Sequence, residues 1–461
     1  MQRTLIKETI DKVGEEIVLY GWVNSIREHG NVVFIDLRDC SGVVQLVGGE
    51  DLSVLKRESV VKVVGQVIER EKKYINSKID TGSVEISVNQ FEILSAAETA
   101  PFEITADGRD VDERIRLKYR YLDLRRQRMQ ENIKKRSQLI NYFRQYLFNQ
   151  DFIEIETPLL TKSTPEGARD FLVPSRLQPG EFYALPQSPQ QYKQLLMVSG
   201  FERYFQLAKC LRDEDLRADR GFEHTQLDIE MSFVEQTDVM NLVEKMFIDV
   251  LGKMNAKLKE TPFPVFTYQQ AIEKFGDDKF DLRSDKEREE GVLAFAWVKD
   301  FPFFEKKEDG SWTFTHNPFS DPIPEHKEKF LAGEIEGILT TQYDLVCNGY
   351  EAGGGSIRAS DPKILKKVLE VLGHSEDKIE EQFGHMLEAF KFGAPPHGGI
   401  ACGIARLMMV LQDEKSMKEV VAFPQTSSGQ TAVMDAPSKV EKKQLKELGI
   451  MLHPDLDKNE S

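Results

Sequence analysis

The chain is poor in cysteine, with four residues in 461, and none of them forms a Cys-x-x-Cys pair. This excludes a disulfide-stapled fold and the common zinc and thiol redox motifs. It predicts that Cys40, Cys210, Cys347 and Cys402 are reduced and buried. The sequence also lacks an apolar run of the roughly 18 to 20 residues that a membrane helix needs, and it has no signal-peptide pattern at its start. We therefore expect a cytoplasmic protein with no membrane contact.

Two familiar motifs are missing as well. No Gly-Lys-Ser/Thr follows a glycine-rich segment, and no Gly-x-Ser-x-Gly elbow is present. A P-loop nucleotidase and an esterase of the α/β-hydrolase type are therefore excluded. What is present is an ordinary globular composition, 40% hydrophobic and 30% charged. The length predicts two or three domains.

The charge balance points away from a polyanionic partner, since 61 basic residues face 77 acidic ones and the net charge is −16. The basic charge is nevertheless concentrated, with ten Lys or Arg and only two acidic residues between Arg114 and Arg136. A solvated, salt-bridged helix face is the favoured interpretation, and a nucleic-acid contact is the alternative.

Residues 1 to about 95 alternate short β-branched runs with turn signals. Such spacing predicts a small barrel of the OB type, although a small sandwich or an SH3-like barrel fits almost as well. Phe34 and Gln45 favour the OB barrel, because an aromatic ring can stack on an unpaired base and an amide can bind a base edge. Phe34 as a core residue and Gln45 as a surface residue is about as good an interpretation. The predicted strands are 17–23, 31–37, 42–47, 60–65 and 83–88.

After a linker near residues 96–101 the pattern becomes mixed helix and strand, which predicts an α+β domain of about 330 residues. A long helix is expected at 132–149. Further helices are expected at 239–254, 361–372 and 375–392, and strands at 204–209, 226–233, 293–298, 345–350 and 399–403.

Polar residues cluster in the segment 210–230. Gln226, Asp228 and Glu230 alternate with apolar residues, so they share one face of a predicted strand. Together with Arg212 they suggest a pocket that holds both an anion and an ammonium group, although each charge taken singly is more commonly a surface residue.

Two later clusters also suggest chemistry. Asp344 and Glu351, just before glycines 353–355, are carboxylates suited to Mg²⁺, and the glycines let the backbone approach a ligand. A glycine-spaced strand at 397–405 ends at Arg406 near a predicted helix start, where positive charge suits a phosphate.

These clusters resemble the three motifs of class II aminoacyl-tRNA synthetases, with the proline-ended strand at 152–158 as the first. The OB barrel makes the chain similar to the subgroup that activates aspartate, asparagine or lysine. Strings at 164–170, 183–190, 212–220 and 348–356 resemble the bacterial aspartyl-tRNA synthetase family over nearly the whole chain. The implied fold class is α+β, an N-terminal OB-fold β-barrel followed by a class II catalytic domain built on an antiparallel sheet flanked by helices. The implied domains are 1–100 for the anticodon, 101–130 as a linker or hinge, and 131–461 for catalysis.

The resemblance implies ATP-dependent activation of L-aspartate, with Mg²⁺, and transfer to the 3′ end of tRNA(Asp) by a homodimer. The implied catalytic residues are Arg212, Glu214 and Arg406. The implied ATP-binding residues are Arg212, Asp213, Glu214, His224, Glu351, Gly403, Ile404, Ala405 and Arg406. The implied aspartate-binding residues are Glu166, Gln190, Lys193, Arg212, Asp228, His316 and Arg358, and the implied metal ligands are Asp344 and Glu351. The implied anticodon contacts are Arg27, His29, Phe34, Gln45 and Lys73. His29 is typical of a second substrate, tRNA(Asn), and Lys73 of stricter recognition, so both alternatives stay open.

The chain departs from the family pattern at Gly221, His224, Asn317 and Ala405. It also lacks the domain of more than a hundred residues that bacterial members insert between the second and third motifs, of which only about 284–292 remains. The rival interpretations are an asparaginyl-tRNA synthetase and a catalytically silent tRNA-binding paralogue.

Overall fold

The computed structural model describes residues 2–164 and 166–453. It divides into two compact units, one of Met1–Val111 with Arg125–Gln127 and one of Asp112–Leu124 with Arg128–Ser461.

The first unit contains a closed barrel with the strand order β1-β2-β3-β5-β4, which confirms the OB fold over the sandwich. Its core comes from strict alternation, as in the second strand, where Val33, Ile35 and Leu37 are buried and Phe34 is half-buried on the opposite face. The first strand runs to His29 rather than ending near residue 23, because it continues into a hairpin with the second strand. The strands are β1 (Glu16–His29), β2 (Val32–Arg38), β3 (Val43–Gly48), β4 (Val60–Glu69) and β5 (Val84–Ser95), and short 3₁₀ helices cover Ile6–Asp11, Glu50–Val54 and Lys72–Tyr74.

The second unit mixes helices and strands as expected. Its helices are α1 (Glu113–Lys118), α2 (Arg120–Asp123), α3 (Gln127–Phe148), α4 (Gln190–Val198), α5 (Gln236–Lys253), α6 (Tyr268–Phe275), α7 (Asp285–Glu289), α8 (Lys327–Leu331), α9 (Pro362–Val371), α10 (Glu376–Phe390), α11 (Ile404–Leu411) and α12 (Lys442–Glu447). Its strands are β6 (Ile153–Glu154), β7 (Leu172–Pro174), β8 (Phe182–Ala184), β9 (Arg203–Leu211), β10 (Glu223–Ser232), β11 (Val265–Thr267), β12 (Phe295–Lys299), β13 (Phe304–Lys306), β14 (Trp312–Phe314), β15 (Gln342–Cys347), β16 (Tyr350–Ile357) and β17 (His397–Gly403).

The main sheet has the order β11-β12-β15-β16-β17-β10-β9-β6. Its centre is antiparallel as expected, but both edge pairs, β11 with β12 and β6 with β9, are parallel, so the sheet is mixed. Apolar residues of α3 and α5, such as Phe143 and Phe247, form one core with the residues of β9, β10 and β17 that face them. The opposite face of the central strands is left to polar side chains.

Two expectations need correction. Cys40 is exposed, while the other three cysteines are buried, because Cys40 lies in the turn before β3. The single strand expected at 345–350 is instead the end of β15, a turn and the start of β16. Asn348 and Gly349 have positive φ values of 52° and 88°, as a tight hairpin turn requires. Over the described part of the chain, no helix has both the length and the apolar character needed to cross a bilayer.

Candidate active site

A cavity of about 290 Å³ opens on the polar face of the main sheet. Neighbouring strands bring distant segments together there, because β9, β10, β17, β16 and β15 lie side by side. The residues predicted from the sequence that line it are Glu166, Gln190, Lys193, Arg212, Glu214, His224, Asp228, His316, Glu351, Arg358, Gly403, Ala405 and Arg406.

Three predicted residues are placed elsewhere. Asp213 directs its carboxylate to Arg169, 3.5 Å away, and is not part of the cavity lining. Ile404 is fully buried in the apolar core, so its side chain cannot contact a ligand in the cavity. Asp344 is 1% exposed and packs against Gly354, so it is not part of the cavity lining.

One end of the cavity holds three buried ion pairs, two of which share Glu230. Lys193 Nζ lies 2.7 Å from Asp228 Oδ1 and 3.0 Å from Glu230 Oε2. Arg358 donates from Nε and Nη2 to the two Glu230 oxygens at 2.9 and 3.1 Å. It also donates from Nη1 to Ser356 Oγ at 2.8 Å and from Nη2 to the Gly399 carbonyl at 3.3 Å. These contacts therefore fix the positions of Lys193 and Arg358, and both side chains line the same cavity.

The two acids of this cluster differ in basicity. Burial works against the charge of Glu230, but Arg358 and Lys193 outweigh it and lower its pKa to about 2. Burial raises the pKa of Asp228 in spite of Lys193. Asp228 Oδ2 is buried and has no hydrogen-bond partner within the described residues. A buried acceptor of this kind needs a donor such as an ammonium group.

Glu166 also lines the cavity. It accepts hydrogen bonds from Ser188 Oγ at 2.6 Å and from Thr164 Oγ1 at 3.1 Å. Burial raises the pKa of this carboxyl. Gln190 donates to Gln194 at 2.9 Å. The cavity therefore offers acceptors at Asp228 and Glu166 and donors at Lys193 and Arg358.

The other end of the cavity suits a nucleotide. Arg406 Nη2 lies 3.2 Å from Asp219 Oδ2, and its Nη1 lies 3.8 Å from Glu351 Oε2. Burial, together with Arg212 and Arg406, lowers the pKa of His224 to about 3. The ring is consequently neutral near pH 7 and can stack between cationic groups without adding charge.

Asp344 and Glu351 meet across Gly354. A Cβ on Gly354 would lie 2.9 Å from Asp344 Oδ1 and 3.3 Å from Glu351 Oε1, so a glycine is needed for this approach. Gln342 Nε2 donates to Asp344 Oδ1 at 2.7 Å, while Asp344 Oδ2 is buried without a partner in the described residues. Burial, then Glu351, raises the Asp344 pKa well above its usual range. An orphaned carboxylate oxygen beside a second carboxylate fits Mg²⁺.

The barrel carries a second polar surface. Arg27 donates to Asp36 at 3.0 Å and to Gln45 at 3.2 Å. Phe34 shares the outward face of β2 with Asp36. The interpretation of Phe34 as a core residue is therefore wrong. His29, at the exposed end of β1, and Lys73, which pairs with Glu71 in its own turn, are not joined to this network by the contacts described.

The sequence did not single out several residues that shape the cavity. Glu230 was visible only as the third member of an alternating set, and its contact with both cations was not predicted. Gln342 was missed although its partner Asp344 is only two residues away, and Asp219 was missed because its partner Arg406 is far along the chain. Of the departures, Asn317 stabilises its own turn by accepting hydrogen bonds from Phe319 N at 3.0 Å and Ser320 Oγ at 3.1 Å.

A closed OB barrel, and a separate sheet whose polar face holds two arginines and paired carboxylates, together define the class II synthetase architecture. Residues 112–427 match the family described as tRNA synthetases class II (D, K and N), and residues 17–94 match the OB-fold nucleic acid binding domain. The chain belongs to this class II tRNA synthetase family.

Its relatives include the protein named aspartate–tRNA ligase of Staphylococcus epidermidis, 39% identical over 96% of this chain and 98% of the relative. Another is the protein of Rickettsia felis named aspartate–tRNA(Asp/Asn) ligase, 38% identical over 98% of each chain. A solved structure of aspartyl tRNA synthetase from Entamoeba histolytica has a TM-score of 0.73 at 22% identity, covering 92% of this chain and 91% of that one. This last likeness concerns the fold.

The first alignment runs over 576 positions, although this chain has 461 residues. That relative therefore has more than a hundred residues with no counterpart here.

Proposed function

We propose that this protein activates L-aspartate with ATP and transfers it to the 3′ end of tRNA(Asp). The observation that carries the choice of amino acid is the donor inventory at Lys193 and Arg358. An ammonium group has three N–H donors and a guanidinium has five. The described contacts use two on Lys193 and four on Arg358.

One donor is thus left on each cation, and both cations line the same cavity. A β-carboxylate, which only accepts, satisfies both donors. The side-chain amide of asparagine would turn an NH₂ group toward one of them and leave a buried donor unpaired, at a cost of about 1 to 3 kcal/mol. Asp228 and Glu166, which are acceptors in the same cavity, would hold the α-ammonium group.

The reaction needs no general base from the protein. The α-carboxylate of aspartate attacks the α-phosphorus of ATP in line, and pyrophosphate leaves. Arg212 would hold the α-phosphate and the attacking carboxylate, and Arg406 the γ-phosphate, so both stabilise the charge of the transition state. Glu214 would bind the adenine amino group while neutral His224 stacks on the base. Asp344 and Glu351 would hold Mg²⁺, which neutralises phosphate charge when bound. The terminal tRNA hydroxyl then attacks the carbonyl carbon of the aspartyl-adenylate, so that the ester forms, the acyl–phosphate bond breaks, and AMP and the hydroxyl proton leave.

The outer face of the barrel, with Arg27, Phe34 and Gln45, would bind the anticodon by stacking and hydrogen bonding. His29 and Lys73 are proposed at its border. Whether tRNA(Asn) is also a substrate is decided by charging both tRNAs. The proposed domains are residues 1–100 for the anticodon and 131–461 for catalysis, with 454–461 outside the described residues. The missing insertion would have stood near residues 284–292. The proposed setting is the cytoplasm, where translation supplies the tRNA.

ATP–pyrophosphate exchange with each amino acid tests the proposal. We expect exchange with L-aspartate and at least about tenfold less with L-asparagine. Exchange driven by asparagine alone would establish the asparaginyl alternative. An absence of exchange, with tRNA binding retained, would establish the silent paralogue.

A further inference from the structure

The turn after α6 reaches the carboxylates of the proposed metal site. Lys279 Nζ lies 3.5 Å from Glu351 Oε2. One ligand atom each from Asp278, His316 and Asp344 lie within 4.8 Å of one another. Neither Asp278 nor Lys279 belongs to one of the three segments that resemble the class II motifs.

This turn is fixed at both ends. Gly276, with a φ of 77°, ends α6, and the rings of Phe275 and Phe280 stack with centroids 4.0 Å apart. The Phe280 carbonyl accepts a hydrogen bond from Gly349 N at 3.0 Å. Gly349 is in the turn of the β15–β16 hairpin, whose strands carry Asp344 and Glu351. The turn is therefore anchored to the same hairpin as the carboxylates that it faces.

Carboxyl groups of Asp278, Asp344 and Glu351 lie in this region, close enough to interact electrostatically. Lys279 and Arg406 are the cations that the described contacts place on Glu351. Asp344 Oδ2, which is buried and unpartnered in the described residues, lies 3.9 Å from His316 Nδ1. That oxygen is directed into the cluster.

We propose that the turn at residues 277–279 is part of the nucleotide-metal site. Asp278 binds the divalent cation together with His316 and Asp344. Lys279 neutralises Glu351 in the metal-free protein, and the bound cation displaces the Lys279 ammonium group. Carboxylates suit both Mg²⁺ and Mn²⁺, and the imidazole of His316 adds a nitrogen ligand. The inference rests on the proposed function only for the identity of the reaction, since the cluster can be tested without any substrate.

The test is a titration of the full-length protein with Mn²⁺, followed by the electron paramagnetic resonance signal of free Mn²⁺, with no ATP, amino acid or tRNA present. We expect Asp278→Asn to weaken Mn²⁺ binding by about tenfold or more, as losses of groups that support a metal site do. We expect Lys279→Met to strengthen it several-fold, because the resident competitor is removed. Mg²⁺ added to the wild-type protein should displace the bound Mn²⁺.

Matched controls come from the next helix, α7. Asp285→Asn and Lys286→Met make the same changes in side chains that are 97% and 84% exposed, and they should leave binding unchanged. Circular dichroism and thermal unfolding confirm that each variant is folded. Wild-type protein that binds no Mn²⁺, or an Asp278→Asn variant that binds it as the wild type does, would overturn the metal site. Weaker binding by Lys279→Met would overturn the role of the lysine. None of these results bears on whether aspartate drives exchange.

Discussion

At the scale of single residues, Glu230 determines what Lys193 and Arg358 can offer a ligand. It holds both cations, so each retains one donor instead of several, and their positions are fixed before a substrate arrives. The sequence indicated Glu230 through its alternation with Asp228, but Arg358 is 128 residues further along the chain. No local pattern could therefore have joined the two. Their contact depends on β16 lying next to β17 and β17 next to β10.

The geometry of Arg358 predicts that charge alone is insufficient at this position. In Arg358→Lys the cation is kept, but the bidentate contact with Glu230 and the contacts with Ser356 and Gly399 cannot all be made. We expect kcat/KM for aspartate in ATP–pyrophosphate exchange to fall by about 10²-fold or more. Arg288→Lys, at a half-exposed arginine, is the control and should be silent. Exchange within threefold of the wild type in Arg358→Lys would refute the donor argument.

At the scale of elements, the basic segment 114–136 differs from its prediction. It was expected to form a solvated helix face, but Arg116 and Arg120 are buried and both contact Asp123. Arg116 also pairs with Glu419 at 2.7 Å, and Arg128 pairs with it at 2.8 Å. Composition showed the excess of positive charge, but the compensating acid stands about 300 residues away. The segment joins α1 and α3 to the chain after α11.

Glu419 makes this packing sensitive to acid. Burial opposes its charge, but Arg116 and Arg128 outweigh burial and lower its pKa from 4.5 to about 2. A folded-state pKa below the unfolded value means that the stabilisation is complete above pH 4.5 and is lost as the pH falls toward 2. The contribution is on the order of 3 kcal/mol. Unfolding by urea between pH 6 and pH 3 should therefore show a falling free energy of unfolding.

Glu419→Gln checks the cause. This variant should be less stable than the wild type at pH 6 and should lose less stability on acidification, because the titrating group is gone. Glu388→Gln, at an exposed glutamate of α10, should follow the wild-type curve. Parallel curves for the wild type and Glu419→Gln would show that acid sensitivity arises elsewhere.

Elements of the site differ in how far the sequence could predict them. Asp344 and Glu351 flank an Asn-Gly turn, so their spacing was informative even though one strand was expected in place of a hairpin. Asp278 and Lys279 could not be found in this way, because the contact from Phe280 to Gly349 that brings them in joins two loops. Periodicity describes strands and helices, and it carries no information on loops that meet.

At the scale of the whole molecule, the sheet is complete although the chain is shorter than its relatives. α6 and α7 are joined by nine residues and lead directly into β12, which pairs with β11 in parallel and with β15 antiparallel. The main sheet is therefore continuous in the described residues. This agrees with the proposal that the insertion domain was lost near residues 284–292 while the catalytic core was kept.

The edge of that sheet supports the homodimer that the family resemblance implies. β6 is the last strand in the sheet order, and the chain around it leaves Phe148, Ile153, Leu159 and Leu160 about half exposed. Exposed apolar side chains along an open sheet edge indicate a protein contact. We expect sedimentation at micromolar concentration to give twice the chain mass of 52.8 kDa. Leu160→Glu should shift the protein toward the monomer, while Phe392→Glu, a substitution of an exposed residue after α10, should not. A wild-type monomer at that concentration would contradict the proposal, because the apolar edge would then lack a partner copy.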